Sequence, residues 1–175
     1  MKIAATCSAL LVLCGLPRQS GAQASGDSLL TEAALYSLYT KRVDNTITLA
    51  NLALTGATDP KVREAAKNLA GEHQEARERT ERIARDHRFS LAPPAHDTSD
   101  VLLTQVRNSL KGKTGRAFDS AWVNLAHQWL TTLILDNNRA VRPRVPGDLR
   151  PVAADHTTWL FHQLPAIDKL GKEFK

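Results

Sequence analysis

Apolar residues recur along this chain at spacings of three and four in four long stretches, and nowhere at the two-residue alternation of a strand, so the pattern predicts helices throughout. In the first stretch, about residues 29–54, Leu30, Leu35, Leu38, Val43, Ile47 and Leu54 share one broad face. Gly56 and then Thr58-Asp59-Pro60 close it and open the next, because Asp or Thr caps a helix and proline fits a first turn. So short a connection predicts an antiparallel neighbour. The second stretch is the clearest. Val62, Ala66, Leu69, His73, Ala76, Thr80, Ile83 and His87 repeat at 4-3-4-3-4-3-4, a seam of more than three heptads. Its other faces are charged, with Glu75–Arg79, Glu78–Arg82 and Glu81–Arg85 at the i,i+4 spacing of a solvated helix.

The period is lost between Phe89 and Asp100, around Pro93-Pro94, which predicts a loop. Residues 100–110 read as a short extra helix and Lys111-Gly112-Lys113-Thr114-Gly115 as a turn. The Gly-Lys-Thr is no phosphate-binding loop, since Arg107 stands where the first glycine belongs and no strand precedes it. The third long helix carries Phe118, Trp122, Leu125, Trp129, Thr132 and Asp136 on one stripe, with Leu133 beside it, and ends at Arg142-Pro143 and Val145-Pro146-Gly147. The fourth starts near Asp148 or Pro151 and carries Val152, His156, Trp159, Gln163, Ala166 and Leu170. Pro165 should kink it or split off a final turn. The expected fold is all-α: an antiparallel four-helix bundle with a short extra helix in the connection between its second and third long helices.

The N-terminus has a different character. Met1-Lys2 is followed by an apolar stretch from Ile3 to Leu16 and a small-x-small site at Ala22-Gln23-Ala24. This reads as a secretory signal peptide over residues 1–24, leaving residues 25–175 as one domain exported to the periplasm. Cys14 follows Leu11-Val12-Leu13, a loose likeness of a lipoprotein box, but the large Leu13 argues against lipid attachment. No later segment approaches the ~18 apolar residues of a membrane span. Cleavage removes both cysteines and the single methionine, and with them disulfides, thiolate metal sites and cysteine nucleophiles.

With Lys2 and Arg18 gone the formal charge falls from +5 to +3, only mildly basic. Aromatic residues are few and not interleaved with basic ones, which argues against nucleic acid as a partner. The basic residues cluster as Arg107, Lys111, Lys113 and Arg116 before the third long helix and as Arg139, Arg142, Arg144 and Arg150 after it. A helix of about 23 residues holds the groups roughly 35 Å apart. The second cluster is the candidate contact for an anionic envelope component.

Candidate chemistry rests on three seam histidines, each preceded by an acid: Glu72-His73, Asp86-His87 and Asp155-His156. A metal between helices is the sharp reading, with His73 and His156 as ligands, Glu72 and Asp155 nearby, and iron, zinc or manganese as the ion. Two considerations oppose it. Adjacent helical residues point about 100° apart, and His73 and His87 lie roughly 21 Å apart along one helix, so at most one of them joins His156. A di-iron bundle also needs Glu-x-x-His on two helices, which this chain lacks. The preferred reading makes His73 and His156 hydrogen-bonded core residues. His96, His127 and His162 have less claim. No serine or threonine sits in a nucleophile elbow, and no catalytic constellation is recognised. Trp122, Trp129 and Trp159 lie on apolar stripes and read as core.

With these elements placed, the chain resembles a bacterial family of unknown function, secreted ferritin-like bundles often labelled "predicted outer membrane protein". The resemblance runs from about Leu30 to Leu170. It rests on Leu52-Ala53-Leu54 leading into Ala57-Thr58-Asp59-Pro60-Lys61-Val62, then Glu72-His73, then Ala117-Phe118-Asp119-Ser120-Ala121-Trp122, where the family usually has tyrosine last, and Pro151 followed by His156. It implies a ferritin-like shape and an envelope location. The family commonly shows an acid in the first helix and a histidine about 12 residues after the Phe-Asp pair; here those positions are Thr46 and Leu130. If the family's motif binds metal, this chain retains half the site. The expectation is a non-enzymatic binding or envelope-stress protein, the alternative a ferritin-like metal protein with a degenerate site.

Overall fold

The computed structural model describes residues 29–92 and 97–174. The leader, Cys14 and His96 lie outside the described residues. Among those described, the chain is all helical, with five α-helices and no strand. They are α1 (Glu32–Gly56), α2 (Pro60–Asp86), α3 (Thr98–Leu110), α4 (Gly115–Asp136) and α5 (Arg150–Glu173). A π-helical turn at Asn137–Val141 and two short 3-10 turns lead from α4 into α5.

Local chemistry sets the boundaries. Thr31 caps α1 by accepting from the Ala34 N–H at 3.2 Å. Asp59 caps α2 by accepting from Lys61 N–H at 2.7 Å, with Pro60 in the first turn. Asp97 and Asp100 form a capping box on α3. The Lys111–Thr114 segment is a turn, with Gly112 and Gly115 at positive φ.

Contacts fix the helix directions. Arg77 on α2 meets Asp44 on α1 (3.4 Å), and His87 meets Glu32 (2.9 Å), so α1 and α2 are antiparallel. Trp122 Nε1–H donates to the Leu49 carbonyl and Trp129 Nε1–H to Thr46 Oγ1, both at 2.9 Å, so α4 also runs against α1. Arg42 near the middle of α1 meets Asp97 before α3, and Leu52 and Gly56 share a groove with Arg107 and Leu110, so α3 runs with α1. It returns the chain along the molecule's length before α4 begins. α5 opposes both α4 and α2, through His127–Asp168 (3.1 Å) and Arg79–Asp155 (3.7 Å).

The main core joins Leu49, Val62, Leu69, Trp122, Trp129, Leu133, Leu160 and Ile167. Several seam positions differ from expectation. On α5 the buried residues are Ala153, His156, Leu160, Gln163, Ile167 and Leu170, so Val152, Trp159 and Ala166 are displaced outward. The helix leans onto α4 more than onto α2, which turns its buried face by one residue at alternate positions. On α2 the seam holds to Thr80 and then passes to Ala84, leaving Ile83 half-buried and His87 exposed. A strict heptad drifts about 20° per repeat on a straight helix. Leu54 is 38% exposed and lies off the core. Pro165 does not split α5: both it and Phe161, whose carbonyl loses its donor, are on the solvent side of the helix.

Two of the segments that carry the family resemblance, Thr58-Asp59 and Phe118-Asp119, meet at the α1–α2 turn. Asp119, 1% exposed, accepts from Thr58 N–H (2.9 Å), Thr58 Oγ1–H (2.6 Å) and Asp59 N–H (3.0 Å). A Cβ at Gly56 would stand 2.5 Å from the Phe118 ring, so this close approach requires glycine. Asp119→Ala strands three donors and should cost about 3 kcal/mol in urea unfolding. Gly56→Ala should cost about 1–3 kcal/mol, most of it recovered when Phe118→Leu is added; additive losses would contradict the clash.

Candidate functional site

Polar residues of α1, α2 and α5, joined by the partly buried Asp136 at the end of α4, reach the interior in the half of the molecule away from the Asp119 latch. Arg42 on α1 is 2% exposed. Its Nε and Nη2 donate to Asp97 (3.1 and 2.8 Å), and Nη2 also pairs with Asp136 at the end of α4. Burial disfavours the Arg42 charge, but the hydrogen bonds and charges of the two aspartates override it and raise its pKa. Burial alone would raise the Asp97 pKa; Arg42 and Ser99 outweigh it and hold the carboxyl below its usual range. Arg42 Nη1 is buried without a hydrogen-bond partner.

Beside this network Tyr39 and His156 stack face to face, centroids 4.0 Å apart and planes within 4°. Tyr39 donates its hydroxyl proton to Asn137 Oδ1 (3.1 Å), and Asn137 Nδ2–H donates to the Ala153 carbonyl (3.0 Å). Asn137 opens the π turn, and the extra residue of that turn lets one buried amide tie α1 to α5. His156 Nδ1 is buried with no partner. Burial, then Arg42, then His73 push the His156 pKa well down, with Asp97 opposing. His73, also 3% exposed, has Nδ1 2.9 Å from the Leu69 carbonyl. A carbonyl only accepts, so Nδ1 carries the proton. Burial lowers the His73 pKa against the opposing Leu69 bond and Glu72 charge. Both imidazoles are therefore neutral near pH 7.

His73 and His156 thus come into one polar interior, close enough for a charge on His73 to disfavour one on His156. Glu72 and Asp155 do not join them: both are exposed, as the 100° offset requires, and Asp155 faces Arg79. Among the described residues no group of three or more His, Cys, Asp or Glu is placed to hold a metal ion. The nearest buried carboxylate, Asp97, is already committed to Arg42, whose positive charge reaches His156. This donor set does not fit a metal centre. Thr46 and Leu130, at the positions where the resemblance implies an acid and a histidine, are fully buried, and Thr46 accepts from Trp129.

Between α1, α2 and α5 lies a cavity of about 40 Å³ lined by Tyr36, Tyr39, Arg79, Thr80, His156 and Trp159 among others. That volume has room for about three waters. Its outer wall is Arg79, which lies over the Trp159 ring at 5.7 Å and pairs with Asp155. That pair is more than half exposed on both sides and worth at most about 1 kcal/mol.

With that geometry in view, a family model described as a domain of unknown function, DUF4142, matches residues 18–169. The chain belongs to this family. No curated protein and no solved structure matches it. Within this DUF4142 domain, the Arg42–Asp97–Asp136 network, the Tyr39–His156 stack and Asn137 were not singled out from the sequence. One signal was present, a charge at position 42 amid Leu38, Tyr39, Val43 and Thr46 on the apolar face of the first helix. Of the second arginine cluster, Arg139, Arg142 and Arg150 are exposed, whereas Arg144 is partly buried.

The network and the histidines give separate pH windows. An unfolded histidine gains its proton below about pH 6.5, while the depressed His73 and His156 do not. Stability therefore falls as pH drops below 6.5, by at most about 3 kcal/mol per pH unit for the pair. His156→Phe, which keeps the stack on Tyr39 and removes the unpartnered Nδ1, should cut that slope by about half in urea unfolding at pH 7.5 and 5.5, the rest belonging to His73. A second loss starts below about pH 4 as Asp97 and Asp100 lose their advantage. Arg42→Met leaves Asp97 buried and unpaired, and should cost about 3–5 kcal/mol in the same measurement.

Proposed function

We propose that this chain is an exported, non-enzymatic binding protein of the bacterial envelope, built as a ferritin-like four-helix bundle in which α1, α2, α4 and α5 are the long helices and α3 is the crossover. The directions of the helices support the bundle reading. α2 and α4 start from the same pole, so the connection between them must travel the full length, as in bundles with one long crossover.

The observation that carries the binding reading is the aromatic cavity walled by Tyr36, Tyr39 and Trp159 and lined also by His156, whose Nδ1 is buried without a partner. Convergent apolar walls with one unsatisfied polar group favour capture of a small ligand. Arg79 and Trp159 swing outward to admit it, since only a weak exposed ion pair holds the outer wall. The histidines are neutral and the nearby carboxylates are engaged with Arg42, which favours binding over proton-transfer chemistry.

The test is native mass spectrometry and metal analysis of protein taken from its own compartment without tag or chelator. Thermal unfolding with added iron, zinc or manganese accompanies it. We expect a chain beginning near Ser25, a bound small molecule that is lost in Trp159→Ala, and no metal-dependent shift. Stoichiometric metal that disappears in His73→Ala or His156→Ala would overturn this reading in favour of a ferritin-like metal protein.

A further inference from the structure

We propose that one pole of the molecule docks on an anionic phospholipid bilayer. The pole is formed by the end of α2, the turns between α4 and α5, and the start of α1. Three contacts bring these segments together. Leu30 N–H donates to the Arg144 carbonyl at 2.8 Å, His87 Nδ1 lies 2.9 Å from the Glu32 carboxylate, and Phe89 stacks on Tyr36 at 5.9 Å.

Charge is the first argument. Arg85, Arg88, Arg139, Arg142 and Arg150 are all exposed here. The exposed acids at the same pole are Asp86 and Asp148, and Glu32 is engaged by His87. Every cation of the set is a guanidinium, the group that meets phosphate oxygens with two parallel hydrogen bonds. Arg88 adopts a left-handed backbone (φ 56°) where the chain turns off α2, and the side chain is left on the surface.

The second argument is apolar and independent of the first. Leu29, 65% exposed, stands at this pole next to Leu30. From there a groove lined by Leu30, Ala34, Leu38 and the 61%-exposed Val101 runs down α1 to Arg42. Arginines for headgroups beside an exposed leucine for the acyl boundary are what a peripheral membrane face requires.

The opposite pole is basic too, through Arg107, Lys111, Lys113 and Arg116. Its composition differs. Lys61 is paired with Glu173 (2.6 Å), Arg116 lies over Phe174 (5.4 Å), Phe118 and Leu110 are buried, and its exposed leucine, Leu54, reaches only 38%. It therefore serves as the internal control. None of the docking arginines, nor Leu29, lines the cavity, so failure of the small-ligand reading does not touch the docking face.

The experiment is sedimentation of the mature chain with vesicles of phosphatidylcholine alone and with vesicles containing about one-third phosphatidylglycerol, at low and high salt. Binding to the anionic vesicles at low salt and release at high salt are expected. Arg139→Ser, Arg142→Ser and Arg150→Ser together should weaken partition by about 100-fold, each arginine contributing about fivefold. Leu29→Ser should weaken it at both salt concentrations. Arg107→Ser, Lys111→Ser and Lys113→Ser together should leave it within about twofold, a margin small against those effects. All three variants alter exposed side chains, and an unchanged thermal transition confirms folding. Absence of binding to anionic vesicles, equal binding to both vesicle types, or loss in the opposite-pole variant equal to that of the arginine variant would each overturn the proposal.

Discussion

Arg42 enters the interior from α1 with its charge met by Asp97 and Asp136, and those carboxylates stand at the start of α3 and the end of α4. One guanidinium therefore fixes the height of three helices against each other. Asp97 is at once the cap of α3 and the partner of Arg42, so the helix that returns the chain cannot slide without breaking both its own start and the network. A buried ion pair of this kind adds little net stability over an apolar replacement, because desolvation offsets attraction. Its effect here is on arrangement. Burial first, and then the charge of Arg42, keep the nearby imidazole neutral, and the adjacent acids are already engaged.

A second anchor sits at the far pole, where Asp119 gathers the donors of the α1–α2 turn. Two segments singled out in the sequence build this anchor: Thr58-Asp59-Pro60 supplies donors and cap, Phe118-Asp119 supplies the acceptor and the ring against Gly56. Their pattern is structural in origin. Their order and spacing follow from where a buried carboxylate must meet a helix start.

The helices were legible because periodicity, caps and breakers agreed from Leu30 to Leu170; Asp59-Pro60 and the turn at Lys111-Gly112 fall where local chemistry places them. Position 100 proved to be the third residue of α3, since the capping aspartate is Asp97. The burial of His73 and His156 was legible from their place on the seam. Less legible was which side of each stripe faces in. Trp159 and Leu160 are equally apolar neighbours, and only the tilt of α5 toward α4 decides that Leu160 is buried and Trp159 walls a cavity. The Arg42 network was hidden for a related reason: its partners lie 55 and 94 residues away, and no local pattern reports such a pairing.

The uneven packing around α5 gives the molecule the mechanics of a book. α1 and α4 form the spine, stitched by Trp122 to Leu49 and Trp129 to Thr46. α2 and α5 are the outer edges of its two covers, one hinged on each side. Along their free edges the covers meet at Arg79 and Asp155 and at Lys61 and Glu173, all partly exposed. Parting those edges bends no core helix and leaves both tryptophan stitches in place. It would bring water to His73 and His156 in one movement, so the two imidazoles would respond to such an opening as a unit.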